Sequence, residues 1–296
     1  MNHFDPKVLA KLKNLYLRAR FVVDGVMVGI HPSRAKGLSS EFEDHREYSQ
    51  GDDLRHIDWK TFGKFDRYFI KEYREVTNLR AYILLDASAS MGYASNGWSK
   101  FDYGSTLAAS LAFLMLKQQD AVGLITFSDK IEKIIPPKAI HGHLFAILKE
   151  LEDRRPNGKT SAGSVLQEIA GSINRRGLMI LISDLIDEPQ QVLRGLKQFR
   201  SRGSDVMVFQ LLDRDELEFP FEEPTLFQDL EEEEIKLHTD PHTVRAAYLK
   251  TITSLIEDYR KSCASYLIDY SLFNTSIGLD RALVRYLNWR EKFKPL

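Results

Sequence analysis

Asp86, Ser88 and Ser90 stand at alternate positions where the apolar run Tyr82-Ile83-Leu84-Leu85 ends, and Gly92 closes the turn behind them. One carboxylate and two hydroxyls at this spacing are hard oxygen donors of the kind that suits Mg²⁺. A second acid, Asp184, ends another apolar run, Leu178 to Ile182, directly after Ser183. Between the two, Gly158-Lys159-Thr160 offers a further hydroxyl at the start of a helix. Asp86, Ser88, Ser90, Thr160 and Asp184 together would suit one octahedral divalent cation. Mg²⁺ is the first choice, with Mn²⁺ or Ca²⁺ as alternatives. Water or a carboxylate from a partner would complete the shell, and Asp184 could act through water. The competing reading is that the three hydroxyls cap helices and the acids merely end strands.

Other chemistries find less support. A phosphatase site of the Asp-x-Asp type needs an acid at position 88, which is serine. A serine hydrolase needs Gly-x-Ser-x-Gly, and Ser88 is flanked by Asp86 and Ser90 instead. Gly158-Lys159-Thr160 resembles the end of a phosphate-binding loop, but the glycine five residues earlier is replaced by Asp153. His141 and His143 diverge on a helix and read as its start. The single cysteine, Cys263, excludes a disulfide framework within the chain and a multi-cysteine metal site.

The candidate donors need a sheet to carry them. From residue 79 onward, apolar strands alternate with helical segments, which predicts a doubly wound, mostly parallel α/β sheet. Strands are expected at 79–85, 121–127, 178–184, 205–212 and 266–270. Helices are expected at 101–118, 141–153, 161–176, 189–201, 241–263 and 279–292. A short strand at 131–135 follows a tight connection, hence an antiparallel edge, and Pro136-Pro137 should stop it. The stretch 219–234 is acidic and loop-like. In such a sheet, loops at the carboxyl ends of the strands converge, and there the five donors would meet. Further towards the N-terminus, 6–20 reads as a helix, Phe21 to Ile30 as a strand pair turning at Asp24-Gly25, and 67–76 as a strand.

With 296 residues, 43% of them hydrophobic, the chain can build a real core in one large or two modest domains. Its formal net charge of −1 offers no global attraction for nucleic acid or anionic membrane. No apolar run approaches the roughly 20 residues of a membrane helix. The first residues lack a basic-then-apolar leader pattern. These features lead to the expectation of a cytoplasmic protein and leave peripheral membrane association open.

Residues 31–59 differ from the rest. A polar, turn-rich run leads into Glu41-Phe42 and Arg46-x-Tyr48, then Gly51-Asp52-Asp53-x-Arg55-x-Ile57-Asp58-Trp59. Charges of both signs alternate here with aromatics. Arg46, Tyr48, Asp52, Asp53, Arg55, Asp58 and Trp59 are therefore candidates for an interface. Equally, they could form an ordered network in which Arg46, Arg55 and Asp58 pair to fix irregular chain.

The Asp86-x-Ser88-x-Ser90, Thr160 and Asp184 constellation resembles the von Willebrand factor A-like fold and its metal-ion-dependent adhesion site. The Glu41-to-Trp59 pattern resembles the signature of the bacterial family called domain of unknown function 58, and the likeness covers nearly the whole chain. The resemblance implies a metal-dependent protein-binding module rather than an enzyme. It also implies a MoxR-type AAA+ ATPase as partner, in an adaptor or chaperone-like role, with the partner donating a carboxylate to the metal. The expected organisation is an N-terminal helix and β-rich signature module at 1–78, followed by a von Willebrand factor A-like domain at 79–296. The alternative is a Mg²⁺-dependent phosphate-ester hydrolase, for which Asp86 is the one good candidate base or nucleophile. A third possibility is a structural protein with an empty site.

Overall fold

The computed structural model describes residues 9, 12, 14–29, 45–47, 69–71 and 79–292, apart from 96, 141, 174, 232 and 233. The described chain forms two compact units, residues 30–78 and the remainder. The first helix therefore groups with the α/β unit. The second unit is 30–78.

The central sheet has six strands. In chain order they are β3 (Arg80–Asp86), β4 (Ala121–Phe127), β5 (Ile131–Lys138), β6 (Leu178–Ser183), β7 (Asp205–Leu212) and β10 (Asp269–Asn274). Their spatial order is β10-β7-β6-β3-β4-β5. Every neighbouring pair is parallel except β4 with β5, which is antiparallel. The α/β class and mostly parallel sheet expected from the alternating pattern are the observed ones.

Helices cover both faces, and the strands are accordingly apolar almost throughout. On one face lie α4 (Ala162–Ser172), α5 (Pro189–Ser201) and α7 (Pro241–Ser265), packed over Leu84, Ile125, Leu181 and Val208. On the other lies α2 (Lys100–Lys117), where Gly104 brings the helix down onto Leu85, Ile182 and Leu211. A Cβ at Gly104 would meet these side chains at 3.0–3.3 Å. Further α-helices among the described residues of this unit are α1 (Leu15–Gly29), α3 (His143–Asp153), α6 (Arg214–Glu218) and α8 (Asp280–Lys292). A small antiparallel hairpin joins β8 (Thr225–Gln228) to β9 (Lys236–Thr239).

Four expectations are corrected. The strand pair around Asp24-Gly25 is helix α1 instead. Its buried residues Leu15, Ala19, Val22, Val23 and Val26 recur at helical spacing. The valines suggested a strand, but packing on α2, α8 and α3 outweighs their β preference. Tyr16 lies edge-on to Phe113 at 6.0 Å, and Arg18 Nη1 donates to Thr106 Oγ1 at 3.2 Å. Second, β5 runs through Pro136 and Pro137 to Lys138. It is an edge strand, where a missing N–H leaves no ladder bond broken. Third, the acidic stretch 219–234 holds strand β8. Fourth, the last strand begins at Asp269, not Tyr266, because α7 continues to Ser265. The chain then leaves the helix through Leu267 at a φ of 55°.

In the 30–78 unit, β1 (His45–Glu47) pairs antiparallel with β2 (Phe69–Lys71), with Arg46 opposite Ile70. Strand 69–71 falls within the expected strand 67–76. Tyr48, Asp52, Asp53, Arg55, Asp58 and Trp59 lie outside the described residues.

Candidate functional site

The chain runs from β3 to β4 on one side, then returns to place β6 on the other side of β3. The strand order therefore reverses between β3 and β6, and the crevice at their carboxyl ends is the usual binding position of such sheets. Asp86 is the last residue of β3, and Ser183-Asp184 leave the end of β6.

Local bonds shape the loop after β3. The Ser88 N–H donates to Asp86 Oδ1 at 2.9 Å, turning the chain back over the strand end. The hydroxyls of Ser88 and Ser90 then lie 3.1 Å apart. Thr160 is brought in from a distant loop by backbone pairing. The Asn157 N–H donates to Ala87 O at 2.9 Å, and the Ala89 N–H donates to Gly158 O at 3.0 Å. Gly158 sits at a φ of 83°, a conformation that favours glycine, and this turn delivers Thr160 Oγ1 to 3.5 Å from Ser90 Oγ. The three hydroxyls form one row. Ser88 is buried at its inner end, while Ser90 and Thr160 are half-buried nearer the surface.

Asp86 forms the floor and is fully buried. Its Oδ2 accepts from Ser183 Oγ at 2.6 Å. Among the described residues it accepts only from neutral donors. Burial, and then the charge of nearby Asp184, push its carboxyl up to about 7, against the opposing hydrogen bonds from Ser183 and Ser88. A buried carboxylate in this situation is expected to protonate or to take up a cation.

Asp184 is equally buried, but it is already engaged. Its Oδ2 accepts from Lys100 Nζ at 2.8 Å, and its Oδ1 from the Ile186 N–H at 3.3 Å. Lys100 also donates to Glu216 Oε1 at 2.6 Å. This ammonium lies in the first turn of α2, where the helix dipole disfavours a cation. Burial alone would lower its pKa, but Asp184 and Glu216 outweigh that and hold it above the ordinary lysine value. Gln210 Nε2 donates to the Asp184 carbonyl at 2.8 Å and fixes the backbone there.

The structure thus joins Asp86, Ser88, Ser90 and Thr160 in one hydrogen-bonded run. It sets Asp184 beside them with its carboxylate committed to Lys100. The helix-capping alternative for the hydroxyls finds no bond to support it: Ser88 caps nothing through its side chain, and Thr160 turns to Glu231. Ser161 occupies the N-cap position of α4, yet its hydroxyl pairs with Ser164 Oγ at 2.8 Å.

Sequence reasoning passed over Ser183, Lys100, Glu216 and Glu231. Ser183 carried a readable signal, since it precedes a strand-ending acid. The others carried none, because a lysine or glutamate on a helix or loop is ordinarily solvated.

A family model described as "Protein of unknown function DUF58" matches residues 44–255. The chain belongs to the DUF58 family. Uncharacterized proteins of Mycobacterium tuberculosis and Mycobacterium bovis are each 25% identical to this DUF58 chain over 230 residues, covering 77% of it and 72% of their own length. Among solved structures, BatB from Bacteroides thetaiotaomicron is similar over 72% of this chain and 99% of its own, at 17% identity and a TM-score of 0.49. An aerotolerance-related membrane protein from Bacteroides fragilis is similar over 71% and 99%, at 17% identity and a TM-score of 0.46. The SpRpn10 VWA domain is similar over 70% and 95%, at 12% identity and a TM-score of 0.39. Among the described residues of this DUF58 protein, no helix is long and apolar enough to cross a membrane.

Proposed function

We propose that this DUF58 protein is a noncatalytic, metal-dependent protein-binding module. Asp86, Ser88, Ser90 and Thr160 would hold a divalent cation, with Asp184 contributing charge from behind. The observation that carries the reading is the fully buried Asp86 carboxylate, which has no cationic partner among the described residues and lies at the foot of a row of three hydroxyls.

The donor set fits such an ion. Neighbouring oxygens around an octahedral Mg²⁺ stand about 3 Å apart, from metal–oxygen distances of about 2.1 Å. Ser88 and Ser90 oxygens are 3.1 Å apart, and Ser90 and Thr160 oxygens 3.5 Å. All the donors are hard oxygens, which favours Mg²⁺, with Mn²⁺ and Ca²⁺ as substitutes. Two buried acids beside one lysine also leave negative charge that a cation would neutralise. Once bound, the ion would supply a Lewis-acidic position for an oxygen anion from outside.

Within this arrangement Asp86 anchors, the hydroxyls orient, and the half-buried Ser90–Thr160 end is where an incoming carboxylate would arrive. Asp86 Oδ2 is taken by Ser183 and Asp184 Oδ2 by Lys100, so neither acid is poised as a general base. That supports binding over hydrolysis. The family resemblance points to a MoxR-type AAA+ ATPase as the protein that presents the carboxylate.

Isothermal titration with MnCl₂ and co-purification with a MoxR-type ATPase, each with and without chelator, test this. Wild type should bind one Mn²⁺ and retain the ATPase only without chelator, and Asp86→Asn should do neither. ATPase capture that ignores both chelator and the substitution would overturn the reading.

A further inference from the structure

The mouth of the site already holds a carboxylate of the chain's own. Thr160 offers two donors outward, its N–H and its hydroxyl, and Glu231 accepts both. The N–H donates to Oε2 at 2.9 Å, and Oγ1 donates to Oε1 in a very short contact. The same Thr160 oxygen lies 3.5 Å from Ser90 Oγ, so Glu231 caps the outer end of the hydroxyl row. A hydroxyl can ligate a cation through a lone pair while its proton goes to a carboxylate, so this contact is compatible with an occupied site.

Glu231 is delivered by a built turn. It follows β8, and its own N–H donates to Asp229 Oδ1 at 2.7 Å. The Asp229 N–H in turn donates to Ile235 O at 3.0 Å, extending the β8–β9 ladder beyond the Gln228–Lys236 pair. The hairpin is anchored in strand β8 by Phe227, which stacks on Phe219 at 5.6 Å and meets Phe221 edge-on at 5.1 Å. Phe219 rests in turn on Tyr248 of α7 at 4.8 Å. The aliphatic side chains around that anchor do not pack down, for Leu226, Ile235 and Leu237 are each more than half exposed. The hairpin is thus fastened by Phe227 in strand β8 and by the Glu231 carboxylate in its turn.

We infer that Glu231 is an internal ligand of this site: the β8–β9 hairpin closes it in cis, and an acidic side chain from a partner binds by displacing Glu231 from Thr160. The inference rests on the carboxylate-accepting reading of the site given above. It assigns a use to a hairpin whose aliphatic side chains Leu226, Ile235 and Leu237 are left exposed. It also makes engagement a competition between two carboxylates of like chemistry.

The test uses the full chain, its Glu231→Gln and Glu231→Ala variants, MnCl₂, and glutarate as a simple carboxylate probe. Mn²⁺ binding is read by electron paramagnetic resonance. Glutarate uptake is read as the loss of water-proton relaxation enhancement of the bound Mn²⁺. Both variants should take up glutarate at a concentration about tenfold or more below that needed by wild type, the scale of losing a charge-assisted hydrogen bond. Amide exchange in 225–239 should quicken in both. Mn²⁺ bound in all three proteins, with glutarate taken up at equal concentrations or by none, overturns the internal ligand and leaves the metal site standing. Mn²⁺ bound by none of them overturns the site and the inference together.

Discussion

Lys100→Met is the substitution whose consequences the structure defines most fully. The Lys100 ammonium is fully buried and bridges Asp184, also fully buried, and Glu216, at 2.8 and 2.6 Å. Methionine keeps most of the stem volume, so cavity formation contributes little, and the loss falls on the charges. The buried Asp184 carboxylate and the half-buried Glu216 carboxylate would be left without their cation. Removing one partner of a buried ion pair costs about 3–5 kcal/mol. In a unit of this size that lowers the melting temperature by roughly 10 °C. The sign of the pH dependence follows. Burial already holds the Glu216 carboxyl above its ordinary value, and Lys100 pulls it down, so losing the ammonium raises it further. The folded variant then gains stability by protonating Glu216 at low pH and loses it as pH rises through that raised value. The deficit relative to wild type should therefore be largest near pH 8 and shrink towards pH 5. Urea unfolding followed by circular dichroism at both pH values measures it. Replacing all three groups together, Lys100→Met with Asp184→Asn and Glu216→Gln, should recover much of the loss, since no bare charge remains. A Lys100→Met deficit below about 1 kcal/mol at pH 8, or one that does not change with pH, would refute the claim that this ammonium neutralises buried acids.

Asp86→Asn should show a related signature in chelator. The folded-state Asp86 carboxyl is raised from 3.8 to about 7, so its stabilising protonation is complete below about pH 4 and lost as pH rises through 7. The urea midpoint of wild type relative to Asp86→Asn should accordingly fall between pH 5 and 8, and added Mn²⁺ should reverse the fall in wild type alone. Gly163→Ala should cost about 1–3 kcal/mol in the same assay, through overpacking between α4 and α5. A Cβ there would meet Gln191 Cβ at 2.5 Å and the Gln191 backbone at 2.8 Å, and backbone cannot swing aside.

The parts of the fold legible in the residues are those where burial and local preference agree. Ala121–Phe127 and Asp205–Leu212 are apolar runs buried almost throughout, and their ends match the expected ones. Helix Pro189–Ser201 likewise matches, with Pro189 at its first turn and apolar residues on one face. The second half of helix α1 was not legible, because Phe21 to Ile30 is rich in β-branched residues around an Asp-Gly pair. Packing on α2, α8 and α3 gives Val22, Val23 and Val26 a helical surface to fill. The break at Pro136 was misjudged for a similar reason. Whether a proline ends a strand depends on whether that strand has a neighbour on its open side.

The site divides along the same line. Spacing alone determined that Asp86, Ser88 and Ser90 share one strand-end loop, since a β-strand followed by an Asx-type turn presents these oxygens whatever surrounds them. The alternation of strands and helices also determined that Asp184 ends a strand of the same sheet. Only the tertiary structure decided what those oxygens meet. It set Thr160 beside Ser90 through two backbone bonds between loops some 70 residues apart. It committed Asp184 to Lys100, left Asp86 buried without a cation among the described residues, and laid Glu231 over the mouth. The physical reason is that a donor's type is a property of its residue, whereas its charge state and availability depend on burial and neighbours, and these exist only once distant segments have packed.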